Sequence, residues 1–169
     1  GAEAGAGGGL RAAAASALAA VGLFCYQRAH PPEPLQLLRA MARESPPLAV
    51  CLANGKPTVV DFYADWCSNC KAMAPTMRAL EKEYAGRVNF LAVDGADPRN
   101  ADLVGRFRVD GIPHLALITA DHEVETALIG MVPKPILEEE MDALLAAKPL
   151  PWVGYDAFRG KSHSMDDIL

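Results

Sequence analysis

Cys67 and Cys70, in the run Cys67-Ser68-Asn69-Cys70, stand where an apolar, β-branched stretch gives way to a helical pattern. That junction has a chemistry. A cysteine at a helix N-terminus faces unpaired backbone N–H groups and the positive end of the helix dipole, and both favour thiolate over thiol. Thiolate is the nucleophile of disulfide exchange. A second cysteine one turn along lies on the same face and can resolve the mixed disulfide. Cys67 is therefore the expected attacking thiol, exposed at its helix end, and Cys70 the resolving thiol. The rival use of such a pair, a structural zinc half-site, needs a second pair of ligands. Cys25 and Cys51 do not form one, and the four histidines are single and scattered, so no metal is expected. Asp61 interrupts the apolar run TVVDFYA at residues 58–64. A carboxylate in a strand buried on both faces is costly. Its pKa should be raised, into the range where it can move protons at neutral pH.

The elements that must position these groups can be read from the pattern. Residues 58–64 form a buried strand. Residues 68–84 form a helix with Met73, Met77, Leu80 and Tyr84 on one face. Residues 88–93 are a second strand, and Pro98 opens a helix that runs to Phe107. Residues 114–119 and 124–131 pair as a hairpin around 120–123, and residues 135–147 form a closing helix. Strand–helix alternation followed by a hairpin and a helix implies an α/β domain: a central mixed β-sheet flanked by helices. The 169 residues, 51% hydrophobic and 22% charged, suit one globular domain with flanking segments. Net charge is −5 with no basic run, so nucleic acid is not expected as a partner.

The expected organisation is a Gly/Ala-rich flexible start at 1–9, an apolar segment at 10–28, and a linker at 29–53. That linker is Pro-rich, with a short helix over 35–43. The domain proper, 54–147, opens on the turn Asn54-Gly55-Lys56-Pro57, and an irregular tail at 148–169 carries Trp152, Tyr155 and Phe158. Two readings of those aromatics compete: they fold back onto the domain, or they dock a partner. Cys25 and Cys51 are expected to be buried as small hydrophobes.

A membrane span needs about 20 apolar residues, so the segment at 10–28 is marginal in length. Three readings compete: a transmembrane anchor, a residual targeting segment, and an Ala-rich soluble helix. The segment has no polar face, which favours the anchor, with Tyr26, Gln27 and Arg28 at an interfacial end.

The residues PTVVDFYADWCSNCK at 57–71 resemble the active-site strand, loop and helix start of the thioredoxin family, and Gly111-Ile112-Pro113 resembles its cis-proline loop. The resemblance covers roughly 54–147. Within that family the chain is similar to the membrane-anchored thioredoxin-like proteins of thylakoids and cyanobacteria. The carriers are NGKPTVVDFYADWC at 54–67, the Gly111-Ile112-Pro113-His114 loop, the apolar N-terminal segment and the extended tail. The resemblance implies a thioredoxin fold and a protein-disulfide reductase that needs no cofactor beyond its dithiol. It implies a single-pass protein of the chloroplast thylakoid membrane with its domain in the lumen. It further implies protein disulfide substrates, an upstream membrane thiol donor, and a part in cytochrome b6f assembly. It assigns Trp66, Ile112, Pro113 and His114 to the substrate surface, with Trp66 also shielding the dithiol and Pro113 cis. It gives Asp61 the task of assisting deprotonation of Cys70. His114 has two readings, structural or near enough to tune the thiolate.

Two departures from the family pattern stand out. Ser68-Asn69 replaces the Gly-Pro of cytosolic thioredoxins, which leaves the redox potential open, and Phe90 stands where a lysine near the buried acid is frequent. Orientation is also contested. Arg11 precedes the apolar segment while Arg28, Arg39 and Arg43 follow it, which by the positive-inside rule puts the domain on the stromal side. The resemblance favours the lumen, and that orientation is the expectation carried forward. A last alternative is a structural or assembly subunit docked to a thylakoid complex, with the dithiol secondary.

Overall fold

The computed structural model describes residues 13, 16–25 and 33–158, with the backbone of 161–162. It divides into two units, Gly1–Glu33 and Pro34–Leu169. In the first, residues 16–25 are helical, with Leu18, Val21, Leu23 and Phe24 exposed. Among the described residues no helix is long and apolar enough to cross a membrane. The start at 1–9, the interfacial end at 26–28 and the prolines at 31–32 lie outside the described residues. Cys25, expected to be buried, is exposed.

The second unit runs α1 (Pro34–Glu44), α2 (Leu48–Leu52), β1 (Thr58–Tyr63), α3 (Ser68–Glu83), β2 (Asn89–Asp94), a 3-10 turn (Pro98–Asn100), α4 (Ala101–Arg106), β3 (His114–Ile118), β4 (Val124–Ile129), α5 (Lys134–Leu145), β5 (Tyr155–Asp156) and β6 (Lys161–Ser162). The sheet order is β2-β1-β3-β4-β5-β6. β1 pairs parallel with β2 and antiparallel with β3, β3 and β4 are antiparallel, and β5 runs parallel to β4. The sheet is mixed, as expected. All six residues of β1 are buried, because it is central and helices cover both of its faces.

Strand alternation sorts the side chains into two cores. On one face Val59, Tyr63, Leu115, Leu117 and Leu128 meet Met73, Met77 and Leu80 of α3, Leu137 and Met141 of α5, and Leu38 and Met41 of α1. On the other, Val60, Phe62, Ala116 and Ile118 meet Cys51 of α2 and Leu103, Val104 and Phe107 near α4.

These contacts move both expected domain boundaries. Leu38 and Met41 are buried in the main core, and α1 lies against α3 and β2, so the folded unit begins at Pro34 rather than 54. The helix expected at 35–43 is present; its place in the core was not expected. At the other end the tail is not wholly irregular. β5 adds to the sheet at Ile129↔Asp156, Gly154 N donates to Thr126 Oγ1 at 2.8 Å, and Ala157 N donates to Ile129 O at 2.9 Å.

Candidate active site

α3 starts where β1 ends, and Cys67 is its N-cap, with φ −75° and ψ 108°. Cys67 and Cys70 are joined by a disulfide, with their Cα atoms 5.3 Å apart. The Cys70 backbone N–H donates to Cys67 Sγ at 3.1 Å. A sulfur in the capping position thus receives one of the N–H groups that the first helical turn cannot use internally. After reduction the same donor faces a thiolate, which it and the helix dipole stabilise. The expectation that Cys67 is exposed needs correcting. In the disulfide form Cys67 is 5% exposed and Cys70 2%, because both pack into the main core. Cys67 is the more accessible of the two.

The loop ahead of the dithiol is tied to α1. Arg39 hydrogen-bonds to Asp65 through Nε at 3.3 Å and through a second, closer contact. The guanidinium holds the Asp65 carboxyl below its usual range, with a smaller contribution from Lys71. The pair is solvent-exposed and contributes little energy, yet it restrains the residue next to Trp66. No periodicity or motif signals this contact between α1 and the loop.

Asp61 sits in mid-strand, 6% exposed, on the face covered by α3. Burial pushes its pKa up to about 7, and no hydrogen-bond donor reaches its carboxyl among the described residues. A void of about 10 Å³ beside it is lined by Met41, Ser45, Met77, Glu81 and Phe90, which is room for one water. Phe90 is the cross-strand partner of Val59, so its ring is where the resemblance expects a lysine.

The Ile112–Pro113 peptide is cis. Pro113 is buried, and its carbonyl accepts from Gly130 N at 2.8 Å. Trp66, next to Cys67 in the chain, is 71% exposed. It lines a groove of about 400 Å³ with Ala64, Gly95, Val109, Ile112 and Phe158. A larger cleft of about 460 Å³, lined by Arg39, Tyr63, Asp94 and Arg99 among others, contains none of the dithiol-side residues and is not the candidate site.

His114 is not part of that surface. It is 3% exposed and lies on the opposite sheet face from α3, paired with Phe62 in the register and edge-on to its ring at 5.7 Å. Neither ring nitrogen has a hydrogen-bond partner, and burial pushes its pKa down to about 4 against the pull of Asp110. The ring is neutral at physiological pH and buried away from solvent. Of its two sequence readings, the structural one fits.

The sequence reading named Phe158 among the tail aromatics without placing it at the groove, and it missed a buried acid in α5, Glu140. Phe158 reaches the groove from the tail, and no sequence pattern marks that contact. Glu140 is 0% exposed and its Oε1 accepts from Trp152 N at 2.6 Å, while Oε2 has no partner. Burial pushes its pKa up to about 7 against that hydrogen bond. Its position three residues after Leu137 and four before Leu144 places it on the apolar face of α5, a signal hidden by the run Glu138-Glu139-Glu140.

Comparison with known proteins agrees with this geometry. "Thiol:disulfide interchange protein TxlA homolog" of Synechocystis sp. is 43% identical over 115 residues, covering 68% of this chain and 64% of that protein. "Thioredoxin-like protein HCF164, chloroplastic" of Oryza sativa is 37% identical over 143 residues, covering 82% of this chain and 52% of that protein. The chain thus spans between about half and two thirds of the length of these relatives. A solved chain described under "Structural basis of the thiol resolving mechanism in yeast mitochondrial 1-Cys peroxiredoxin via glutathione/thioredoxin systems" superposes with a TM-score of 0.50 at 26% identity, over 57% of this chain and 87% of that one. The Thioredoxin family profile matches residues 48–143, which take in the Cys67–Cys70 disulfide, Asp61 and the cis-proline loop, and the chain belongs to the thioredoxin family.

Proposed function

We propose that this protein reduces protein disulfides through the Cys67–Cys70 dithiol. The observation that carries the reading is the Cys67 sulfur at the start of α3, bonded to Cys70 and receiving the Cys70 N–H at 3.1 Å. In the working cycle the Cys67 thiolate attacks one sulfur of a substrate disulfide. A mixed disulfide forms and the other substrate sulfur leaves as thiolate, taking up a proton. Cys70 then loses its proton to Asp61 and attacks Cys67 Sγ. The Cys67–Cys70 disulfide forms, and the second substrate sulfur leaves as a thiol once protonated. Two electrons pass from the dithiol to the substrate, and a membrane thiol donor restores them. Trp66, Ile112 and Pro113 form the surface on which the substrate chain lies.

The chloroplastic name of one relative supports a chloroplast location, and the resemblance adds the thylakoid, with the domain in the lumen and cytochrome b6f assembly as the process served. The apolar sequence at 10–28 supports a single-pass anchor. Protease protection in sealed thylakoids tests the orientation: digestion of the domain in intact vesicles refutes the lumenal assignment.

The chemistry is tested by redox titration of the full chain in dithiol/disulfide buffers, following tryptophan fluorescence with thiol alkylation as a check. A midpoint near or below about −250 mV is that of a reductant. A midpoint nearer about −120 to −180 mV is that of an oxidant or isomerase and overturns the reductase reading.

A further inference from the structure

The groove beside the dithiol has two aromatic walls, and only one of them belongs to the segment that carries the cysteines. Trp66 comes from the active-site loop and Phe158 from the tail; they are 71% and 59% exposed. The backbone at Phe158 is held in place by several contacts. Its own N–H donates to Asp156 Oδ1 at 2.8 Å, and Ala157 N donates to Ile129 O at 2.9 Å. The tail also lies flat on Gly130: a Cβ built there falls 2.8 Å from Ala157 Cβ and 3.2 Å from Phe158 Cε2. Gly130 in turn bonds to the Pro113 carbonyl at 2.8 Å. The tail backbone that carries Phe158 is thereby tied to the cis-proline loop.

We propose that Phe158 is a specificity-determining residue of the substrate site. Together with Trp66 and Ile112 it receives an apolar side chain adjacent to the attacked cysteine of an extended substrate segment. The inference rests on the disulfide-reductase reading and adds the chemistry of the substrate. Three observations select that occupant. The groove is lined by Trp66, the chain neighbour of Cys67, and by Gly111 and Ile112 of the cis-proline loop. Its lining is otherwise small or aliphatic, from Ala64 and Gly95 to Val104 and Val109. Its one charged lining residue is Asp110, which disfavours an acidic side chain there. Burying an apolar side chain against such walls contributes a large part of its transfer free energy, whereas a serine gains little.

The test uses the full chain, reduced beforehand, in single-turnover reactions with two short synthetic peptides, each closed by one disulfide. One carries Leu on both sides of the attacked cysteine and the other carries Ser. Rates are read by acid quench, alkylation and mass spectrometry. The wild type should reduce the Leu peptide about tenfold faster than the Ser peptide. In Phe158→Ala that preference should fall to about twofold or less, and Phe158→Leu should restore most of it. A Phe158→Ala protein that keeps the tenfold preference, or that slows equally on both peptides, overturns the proposal. So does a wild type that reduces both peptides at one rate, which leaves the reductase reading standing. A wild type that reduces neither peptide overturns both.

Discussion

Asp61 offers the most direct measurement of what burial does in this fold. Its pKa rises from 3.8 to about 7 because desolvation disfavours the anion. Between those values the folded chain binds more protons at this site than the unfolded chain, so stability falls as pH rises across the window. The contribution is most favourable below the unfolded pKa and is lost as pH climbs to the folded pKa. Each pKa unit corresponds to about 1.4 kcal/mol. Integrated between pH 5 and pH 8, the shift makes the folded state about 2.6 kcal/mol less stable at the higher pH.

Asp61→Asn removes that titration and little volume. Urea unfolding of the disulfide form, for wild type and variant at pH 5 and pH 8, isolates the effect, because every other group titrates alike in both proteins. The variant should gain about 2–3 kcal/mol on the wild type between the two pH values. A difference that stays constant within about 0.5 kcal/mol refutes the buried-acid argument. Under the proposed mechanism the same variant should slow the resolving step, with the largest deficit near neutral pH, close to the pKa of the acid. Reduction of disulfides at the wild-type rate at every pH would remove Asp61 from the mechanism.

Further outcomes follow from other parts of the structure. Cys67→Ser should abolish turnover, while Cys70→Ser should accumulate a covalent mixed disulfide with a substrate peptide, visible as an intact-mass adduct. Glu140→Gln keeps an acceptor for Trp152 N but removes a carboxyl whose pKa burial lifts from 4.5 to about 7. Its stability relative to wild type should rise by about 2.5 kcal/mol between pH 5 and pH 8 in urea melts. Gly130→Ala places a Cβ at φ +88° and 2.8 Å from Ala157 Cβ. It should cost about 1–3 kcal/mol in the same melts and expose the tail to limited proteolysis.

What could be read from the sequence is what the chain encodes locally. The pair Cys67 and Cys70, the acid in β1, the turn at Asn54-Gly55 and the helix carrying Met73, Met77 and Leu80 depend on neighbours a few residues away. Periodicity or turn chemistry therefore exposes them. Long-range packing decided the rest. α2, with the sequence LAVCL, is too short to show a period. The prolines at 46 and 47 and the turn after them read as a boundary, yet Leu38 and Met41 ahead of them fill the main core. His114 illustrates the limit at the site itself: adjacency to Pro113 in sequence says nothing about sheet face, and pairing with Phe62 sends it away from the dithiol. Phe158 is the converse, remote in sequence and seated at the groove.

In the family pattern a lysine is frequent where Phe90 stands in this chain. Phe90 stands opposite Val59 and lines the void beside Asp61. A lysine ammonium there would favour the Asp61 anion and pull its pKa down. With an aromatic ring in its place, desolvation is what sets the acid's pKa near 7. The other carboxylate lining the void, Glu81, is engaged by Arg78 at 2.7 Å, and Arg78 also binds Glu44 at 2.6 Å. The charges around Asp61 are therefore largely paired with one another rather than with it. The proton acceptor proposed for the resolving step is tuned by packing, through Phe90, Met77 and Met41, more than by a counter-charge. Salt screens exposed charges far more than it alters burial, so in this chain the readiness of Asp61 to take a proton is coupled to the integrity of its core, including the α1 residue Met41 that lies outside the expected domain.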